Sequence, residues 1–436
     1  MKKTIVSALV LLGMSASVHA ESLLDIYKEA QEKDPQLLQA KAQRDAAFEK
    51  INEADAADLP QINLGADLDY LKSNRDDKTT ASSAGASLGL SQSIYRRSNW
   101  INSDLTSKAA TQSDVSYNLE KQGLIVRTSQ AYFSVLAAID TLEYVKANLE
   151  AVKRQLDETQ QRYNVGMTAI TDVHEAKAAY DLAGADLINA ENNLANSYES
   201  LRQLTGTDHK QLDLLDTNRF SPSAMNEGSD NWLKKAEDSN LQLHAQRIAK
   251  DIANQQIDLA KTGHEPTLDL GANLGSTYTN YKNDGPSYDD GTLNQGSIGF
   301  KFNLPLYTGG AVDSRVKQAQ FNYVAASEAL ELSHRTIQSD LYRTYNDVNA
   351  AIGSVKAYHQ SVVSAESALT ATRAGYEVGT RTVVDLLDST RNLYSAKQQL
   401  SNARYNYILK TLQLKQTAGV LSEQDLVDIN QGLKKG

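Results

Sequence analysis

Two hydrophobic periods alternate along the chain, and each occurs twice. Leu142, Val145, Leu149, Val152, Leu156, Thr159 and Tyr163 step by three and four residues. After Val165-Gly166 the stepping resumes at Val173, Ala176, Tyr180, Ala183, Leu187, Ala190, Leu194, Ser197, Leu201 and Leu204. The pair returns as Val355, Tyr358, Val362, Ala365, Leu369, Thr372 and Tyr376, then Leu386, Ser389, Leu393, Ala396, Leu400, Ala403 and Tyr407. A sustained spacing of about 3.5 residues predicts coiled-coil seams. Ala, Ser and Thr recur in these seams, so the helices can approach closely. The helical pattern extends back to about residues 100 and 311. Helices of about 60 residues would be about 90 Å long. Each pair reverses at a Val-Gly step, giving two long antiparallel hairpins.

The other period is two. Ile62, Leu64, Ala66, Leu68 and Tyr70 alternate with Asn63, Asp67 and Asp69; Leu88, Leu90, Gln92 and Ile94 alternate with Gly and Ser. Leu268, Leu270, Ala272 and Leu274 alternate with Asp269, Gly271 and Asn273. Ile298, Phe300, Phe302, Leu304 and Leu306 alternate with Gly299, Lys301 and Asn303. Segments of about ten residues have the length of a tilted membrane strand with one face in lipid. Tyr70, Tyr95, Tyr278 and Tyr307 stand at their ends, as interfacial aromatics do. Half-buried soluble strands alternate in the same way, but no compact sheet-plus-core pattern accompanies these four. Four strands cannot close a membrane barrel, whose smallest form has about eight. An open edge in lipid leaves unpaired backbone groups at several kcal/mol each. The strands must therefore be pooled between chains; two, three or four copies satisfy the argument equally.

The repetition is a duplication. Tyr163-Asn164-Val165-Gly166 returns as Tyr376-Glu377-Val378-Gly379, Asp172 as Asp385 and Tyr132 as Tyr345, all at an offset of 213. Pro60-Gln61-Ile62-Asn63-Leu64-Gly65-Ala66 returns as Pro266-Thr267-Leu268-Asp269-Leu270-Gly271-Ala272 at 206. Seven residues enter the second copy between these points, with the loop near 280–296 the expected place. The polar segments 72–83 and 280–296, the latter with Asp284-Gly285-Pro286 and Asp290-Gly291, read as turns. The expected division is a signal at 1–20, a first repeat at 21–215, a linker at 216–230 and a second repeat at 231–436. Residues 1–20 carry Lys2 and Lys3, an apolar stretch from Ile5 to Met14, and Val18-His19-Ala20. That is an export signal cleaved after Ala20.

Composition narrows the chemistry. A net charge of −10 argues against a nucleic-acid binder. The absence of cysteine removes disulfides, thiolate metal sites and cysteine nucleophiles. His174-Glu175 begins like a zinc-hydrolase motif, but Ala178 stands where the second His is needed. No phosphate loop or nucleophile elbow appears, so no enzyme, cofactor or metal site is expected. An exported coiled-coil scaffold is the alternative, but a scaffold does not need the four strands.

Strand, strand and long helical hairpin, twice, behind a signal peptide, closely resembles the TolC family of outer-membrane efflux channels. The likeness runs from Glu21 to about Asn430. It is densest at Arg44 to Ala54, at Tyr163-Asn164-Val165-Gly166 with Ala169-Ile170-Thr171-Asp172-Val173, at Val378 to Asp385, and at Asn402-Ala403-Arg404-Tyr405-Asn406-Tyr407. The resemblance implies an α+β membrane protein: a homotrimer with a 12-stranded β-barrel, four strands per chain, in the outer membrane of a Gram-negative bacterium. A 12-helix periplasmic tunnel would continue below it. The implied partners are outer-membrane lipid, a periplasmic adaptor, and an inner-membrane translocase of the RND, ABC or major-facilitator type. The implied task is export of drugs, bile salts and proteins through tripartite pumps and type I secretion systems. The external loops would be where phages and bacteriocins attach.

The same resemblance gives residues their roles. Asp385 and Asp388, three apart on one helical face, would form two carboxylate rings at the periplasmic mouth, attracting cations. Two solvated surface acids would show the same spacing; Asp172 and Glu175 hold the equivalent positions in the first copy. Thr171, Asp172, Tyr376 and Arg381 match positions that hold the entrance closed. Tyr376 would bond Asp172 within a subunit, and Arg381 would reach Thr171 and Asp172 of the neighbour. A further family link joins Gln155 to a Glu, but Arg373 stands there; the bond would need Arg373 to donate to the Gln155 side-chain carbonyl. Gly166 and Gly379 supply the positive φ of the hairpin reversals. In the family these tips meet the adaptor helices.

Overall fold

The computed structural model describes residues 20–72, 80–225, 227–282 and 290–434. The expected export signal, apart from Ala20, lies outside the described residues, as does Asp284-Gly285-Pro286. The elements run α1 (Leu23–Lys33), α2 (Pro35–Asp55), β1 (Gln61–Lys72), β2 (Thr80–Tyr95), α3 (Arg97–Asn164), α4 (Ile170–Thr205) and β3 (Leu214–Leu215). They continue with α5 (Ser229–Ser239), α6 (Leu241–Lys261), β4 (Thr267–Lys282), β5 (Gly291–Asn303), α7 (Ala311–Glu377), α8 (Val383–Thr417), α9 (Glu423–Asn430) and β6 (Leu433–Lys434). Two short helices, two strands and two long helices thus occur in the same order twice.

The long helices form where the seams foretold them. α3 has 68 residues and α7 has 67, each about 100 Å of rise. Every seam position of α4 named above is buried or half-buried, while Asp181, Leu182, Ile188 and Asn192 are exposed. α7 and α8 share their seam through Val355, Leu400 and Ala403, and again through Tyr376, Val383 and Leu386.

Four differences from the periodic reading have local causes. α1, α2, α5 and α6 were not foreseen. α1 and α2 are announced by caps rather than by long seams: Ser22 and Asp25 form a capping box, and the Asp34 carboxylate accepts from Leu37 N–H at 3.0 Å with Pro35 opening α2. α5 begins at Ser229, inside the stretch expected as linker. The polar turns are shorter than expected, since Thr80–Ser83, Asn280–Lys282 and Gly291–Gly296 belong to strands. β5 stops at Asn303 instead of running to Leu306, because Pro305 has no N–H for the ladder. The added residues of the second copy are therefore divided. β4 outruns β1, with 16 residues against 12, and residues 304–310 separate β5 from α7 where Arg96 alone separates β2 from α3.

The chain groups into two compact units, and each draws on both copies. One holds Met1–Leu38, Glu120–Asn240 and Gln338–Gly436; the other holds Gln39–Leu119 and Leu241–Ile337. The copies describe element order along the chain; compactness cuts across them. In the first unit Tyr132, Phe133, Leu23, Ile26, Leu136, Leu201 and Leu412 are fully buried. There the Tyr132 hydroxyl donates to the Asp213 carbonyl at 2.7 Å. Burial first, then the Asp213 charge, pushes this phenol above its ordinary range. The second unit contains the four-stranded sheet.

Candidate functional site

Sheet order is β1-β2-β4-β5, all antiparallel. Directly paired residues of an antiparallel ladder share a face. Ile62 pairs Leu90, which pairs Ala272, which pairs Ile298. The next row is Leu64, Leu88, Leu274 and Gly296, and further rows bring Leu68 to Ala84 and Tyr278, and Leu270 to Phe300. On the other face Asn63, Gly89, Asn273 and Ser297 share a row, and so do Gly65, Ser87, Gly275 and Gln295. One face thus carries most of the large apolar side chains in register, interrupted by the row Ala66, Ala86, Ser276 and Asn294, and the other is mainly amide, hydroxyl, glycine and charge. Among the described residues nothing covers the apolar rows: Leu64 is 81% exposed, Leu68 86% and Ile298 79%. A water-soluble sheet would bury such rows; here they form a lipid-compatible surface. β1 and β5 are both edge strands with unpaired backbone along one side.

At the far end of the hairpins, each reversal is built by a glycine. Gly166 has φ 76° and Gly379 φ 79°. Thr380 N–H donates to the Gly375 carbonyl at 2.9 Å and Gly379 N–H to the Tyr376 carbonyl at 3.1 Å. Met167 to Arg162 and Gly166 to Tyr163 repeat this pattern at 2.8 and 2.9 Å. Both are Schellman caps, in which only glycine meets the left-handed residue without steric cost. Val165, Met167 and Val378 stand exposed around these turns.

Asp385 lies three residues into the capping box that opens α8. Its Oδ2 accepts from Thr382 N–H at 2.9 Å and from Thr382 Oγ1 at 3.0 Å, and its own N–H donates back to Thr382 Oγ1 at 3.2 Å. The Thr382 backbone bond, then the hydroxyl bond and the nearby Arg381 charge, hold its carboxyl below the usual range. Asp388 follows one turn on, exposed, and accepts from Arg391 at 3.1 Å. An ion pair this wet holds about 0–1 kcal/mol and leaves the carboxylate available. The two acids therefore keep one face of the α8 opening, fixed by a cap at Asp385 and held only by an exposed ion pair to Arg391 at Asp388.

The remaining candidates are partly rearranged. Asp172 bonds Thr168 Oγ1, and Thr171 is exposed beside it. The expected bond from the Tyr376 hydroxyl to Asp172 is not among the hydrogen bonds of the described residues. Tyr376 is instead 9% exposed, packed with Val383 and Leu386, and the Arg162 guanidinium lies 4.7 Å from its ring centroid. Arg381 folds its side chain over Gly375, where a Cβ would come within 2.7 Å of Arg381 Cγ. Among the described residues no carboxylate pairs with it in this chain. Gln155 and Arg373 line one cavity of about 320 Å³ with Arg154, Glu158 and Tyr376, but Arg373 does not bond Gln155, whose Nε2 donates to Thr159 at 3.3 Å. Arg162 was not singled out from the sequence. Its position before the Tyr163-Asn164-Val165-Gly166 turn was visible, but which ring it would cover was not.

The matched family model is described as "Outer membrane efflux protein" and covers residues 26–207 and 232–420. Outer membrane protein TolC of Vibrio cholerae is 49% identical over 424 residues, spanning 97% of this chain and 96% of that protein. Its namesake in Escherichia coli K12 is 47% identical over 441 residues, spanning 99% and 89%. Among solved structures, the Campylobacter jejuni CmeC outer membrane channel superposes with a TM-score of 0.77 at 16% identity, covering 94% of this chain and 90% of that one.

Proposed function

This chain belongs to the outer membrane efflux protein family, and from that premise we propose that it is the outer-membrane exit duct of tripartite efflux pumps and type I secretion systems. The observation that carries the reading is the sheet. Its apolar rows lie open in register, and both of its edges are unpaired. Because four antiparallel strands leave β1 and β5 running in opposite directions, β5 of one copy beside β1 of the next continues the alternation. Repetition by rotation then closes a ring without an edge. Three copies give twelve strands, the assembly we assign. The apolar face meets outer-membrane lipid and the Asn-, Ser- and Gly-rich face lines the bore.

In this assembly the hairpins extend into the periplasm and their tips form the entrance. Asp385 and Asp388 supply two rings of three carboxylates, a cation-selective constriction. Thr171, Asp172 and Arg381 supply links between neighbouring subunits: Arg381, which makes no ion pair among the described residues and only lends its charge to nearby Asp385, reaches an adjacent one. The exposed apolar residues flanking Gly166 and Gly379 form the end-on surface for a periplasmic adaptor, which joins the duct to an inner-membrane translocase. Cargo passes from that translocase to the exterior.

Purified protein in planar bilayers tests this. A trimer should conduct weakly at rest and prefer cations, and a hexaammine trivalent cation added on the tip side should block it. Asp385→Ala with Asp388→Ala should abolish the block and leave the trimer intact. A monodisperse water-soluble monomer without conductance would end the proposal.

A further inference from the structure

We infer that Arg162 is a positioning residue of the closed entrance, holding α7 to α3 by covering the ring of Tyr376; the inference rests on the channel reading above. Arg162 stands in the last turn of α3, and Tyr376 in the last turn of α7. Both precede their Schellman turns by a few residues. The guanidinium carbon sits 4.7 Å from the ring centroid, within reach for a cation–π contact. Neither partner is loose. Glu158, one turn back on α3, accepts from Arg162 Nε at 3.1 Å and from Nη2 at 2.8 Å. Tyr376 is pinned by Val383 and Leu386 of α8, with Leu369 and Leu387 packed alongside.

The surroundings give this contact its weight. Among the described residues no hydrogen bond or ion pair joins the last two turns of α3 to those of α7. Gln155 and Arg373, where the family resemblance puts such a bond, face a cavity of about 320 Å³ without meeting. Glu377 and Arg154 line the same cavity, so its charges are mixed and give neither helix a net pull. A displacement of the α7–α8 hairpin away from α3 has to lift the ring from under the guanidinium. The duplication makes the contact one-sided. At the offset of 213, Arg162 corresponds to Gly375 and Tyr376 to Tyr163, so the other hairpin has no cation to place over its tyrosine.

The ring face of Tyr376 is therefore a working part of the latch in its own right, apart from anything its hydroxyl bonds. That separates this latch from one made by a hydroxyl bond to Asp172. Single-channel recording of the full trimer tests it, with melting temperature measured in parallel. Arg162→Gln and Tyr376→Leu should each raise the open-to-closed ratio, by about two- to fivefold if one such contact governs closure and by about ten- to a hundredfold if three act together. Their double variant should open no further than either alone. Tyr376→Phe, which keeps a ring, should open the channel less than a third as much as Tyr376→Leu. Arg162→Lys should restore most of the closure lost in Arg162→Gln. Arg162 is half-buried and paired with Glu158, so Arg162→Gln should lower the melting temperature slightly, and opening larger than that of a variant with the same loss of melting temperature elsewhere in α3 separates the latch from general loosening. The inference is overturned if Arg162→Gln gates like the parent, or if Tyr376→Phe opens as fully as Tyr376→Leu. An intact parent trimer that shows no conductance would instead remove the channel reading, and the latch with it.

Discussion

Two neighbouring residues of β1 face opposite media, and an arginine at each gives opposite results if the sheet lies in a membrane. Leu64 belongs to the apolar row with Leu88 and Leu274; Asn63 belongs to the polar row with Gly89 and Asn273. β1 has 12 residues, about 41 Å of strand, and a tilt near 40° makes each residue worth about 2.6 Å of depth. Leu64 then lies about 6.5 Å in depth from the strand's middle. Arginine on the lipid face costs about 2–4 kcal/mol at the midplane and less toward the interface, so about 2–3 kcal/mol per chain is expected here. Three chains close one barrel, so Leu64→Arg should disfavour the trimer by about 6–9 kcal/mol relative to the parent. Asn63→Arg, solvated in the bore, should change assembly by less than about 1 kcal/mol per chain. The assay is recovery of folded, heat-resistant trimer after refolding into vesicles over a urea series, read on a gel. The reasoning is refuted if both variants assemble equally, or if Asn63→Arg is the one that fails.

Three further outcomes follow from the geometry. Asp385 has its carboxyl held low by Thr382, so its charge-dependent contribution is present above the ordinary carboxylate range and is lost as pH falls through the lowered value. Thr382→Ala should move the acid midpoint of trivalent-cation block to higher pH, checked by recording current against pH. Gly375→Ala places a Cβ 2.7 Å from Arg381 Cγ; the flexible side chain should swing away, and conductance should rise as in Arg381→Ser with little loss of melting temperature. Tyr405 donates to Asp140 Oδ2 at 2.7 Å and stacks on Phe133. Burial first, then the Asp140 charge, pushes its phenol above the ordinary range. Tyr405→Phe should therefore cost about 1–2 kcal/mol, with a penalty in thermal denaturation that stays flat between pH 5 and pH 9.

The long hairpins and the sheet were legible because each rests on a period repeated many times. Ten consecutive seam positions from Val173 to Leu204 all turn inward on α4, and no local exception can shift a seam of that length. The faces of the strands were legible for the same reason. α1 and α5 have 11 residues each, too few turns for a seam to stand out; α1 has a capping box at Ser22, and α5 has no side-chain cap at Gly228. The site was half legible. Gly166 and Gly379 follow from backbone sterics alone, so their positive φ could be read from a Val-Gly step. The partner of Tyr376 could not. Whether a phenol meets Asp172 of α4 or lies beneath Arg162 of α3 depends on how α7 is set against those two helices, which no spacing within a single helix encodes.

In the proposed assembly a duplicated position takes two different jobs, and the local geometry of the two copies fits that division. Asp172 and Asp385 are equivalent at the offset of 213, and both stand three residues after a helix cap. Before Asp385 the cap is Thr382, whose hydroxyl and N–H occupy one carboxylate oxygen. Before Asp172 the cap is Ala169, which has no hydroxyl, and no side-chain bond closes the start of α4. Asp172 is left to find Thr168, the counterpart of Arg381. One substitution at the cap thus leaves Asp385 fixed, with its charge held in a defined place, and Asp172 free to exchange partners. A constriction needs the first property, since field strength depends on position. A link that breaks on opening needs the second. Ala169→Thr should therefore convert Asp172 into a capping residue and weaken its bonds to any other partner. In bilayer recordings the variant should open more readily than the parent, even though helix α4 is better capped and the protein melts no lower. Unchanged gating in a variant whose cap has formed would show that Asp172 has no part in the link.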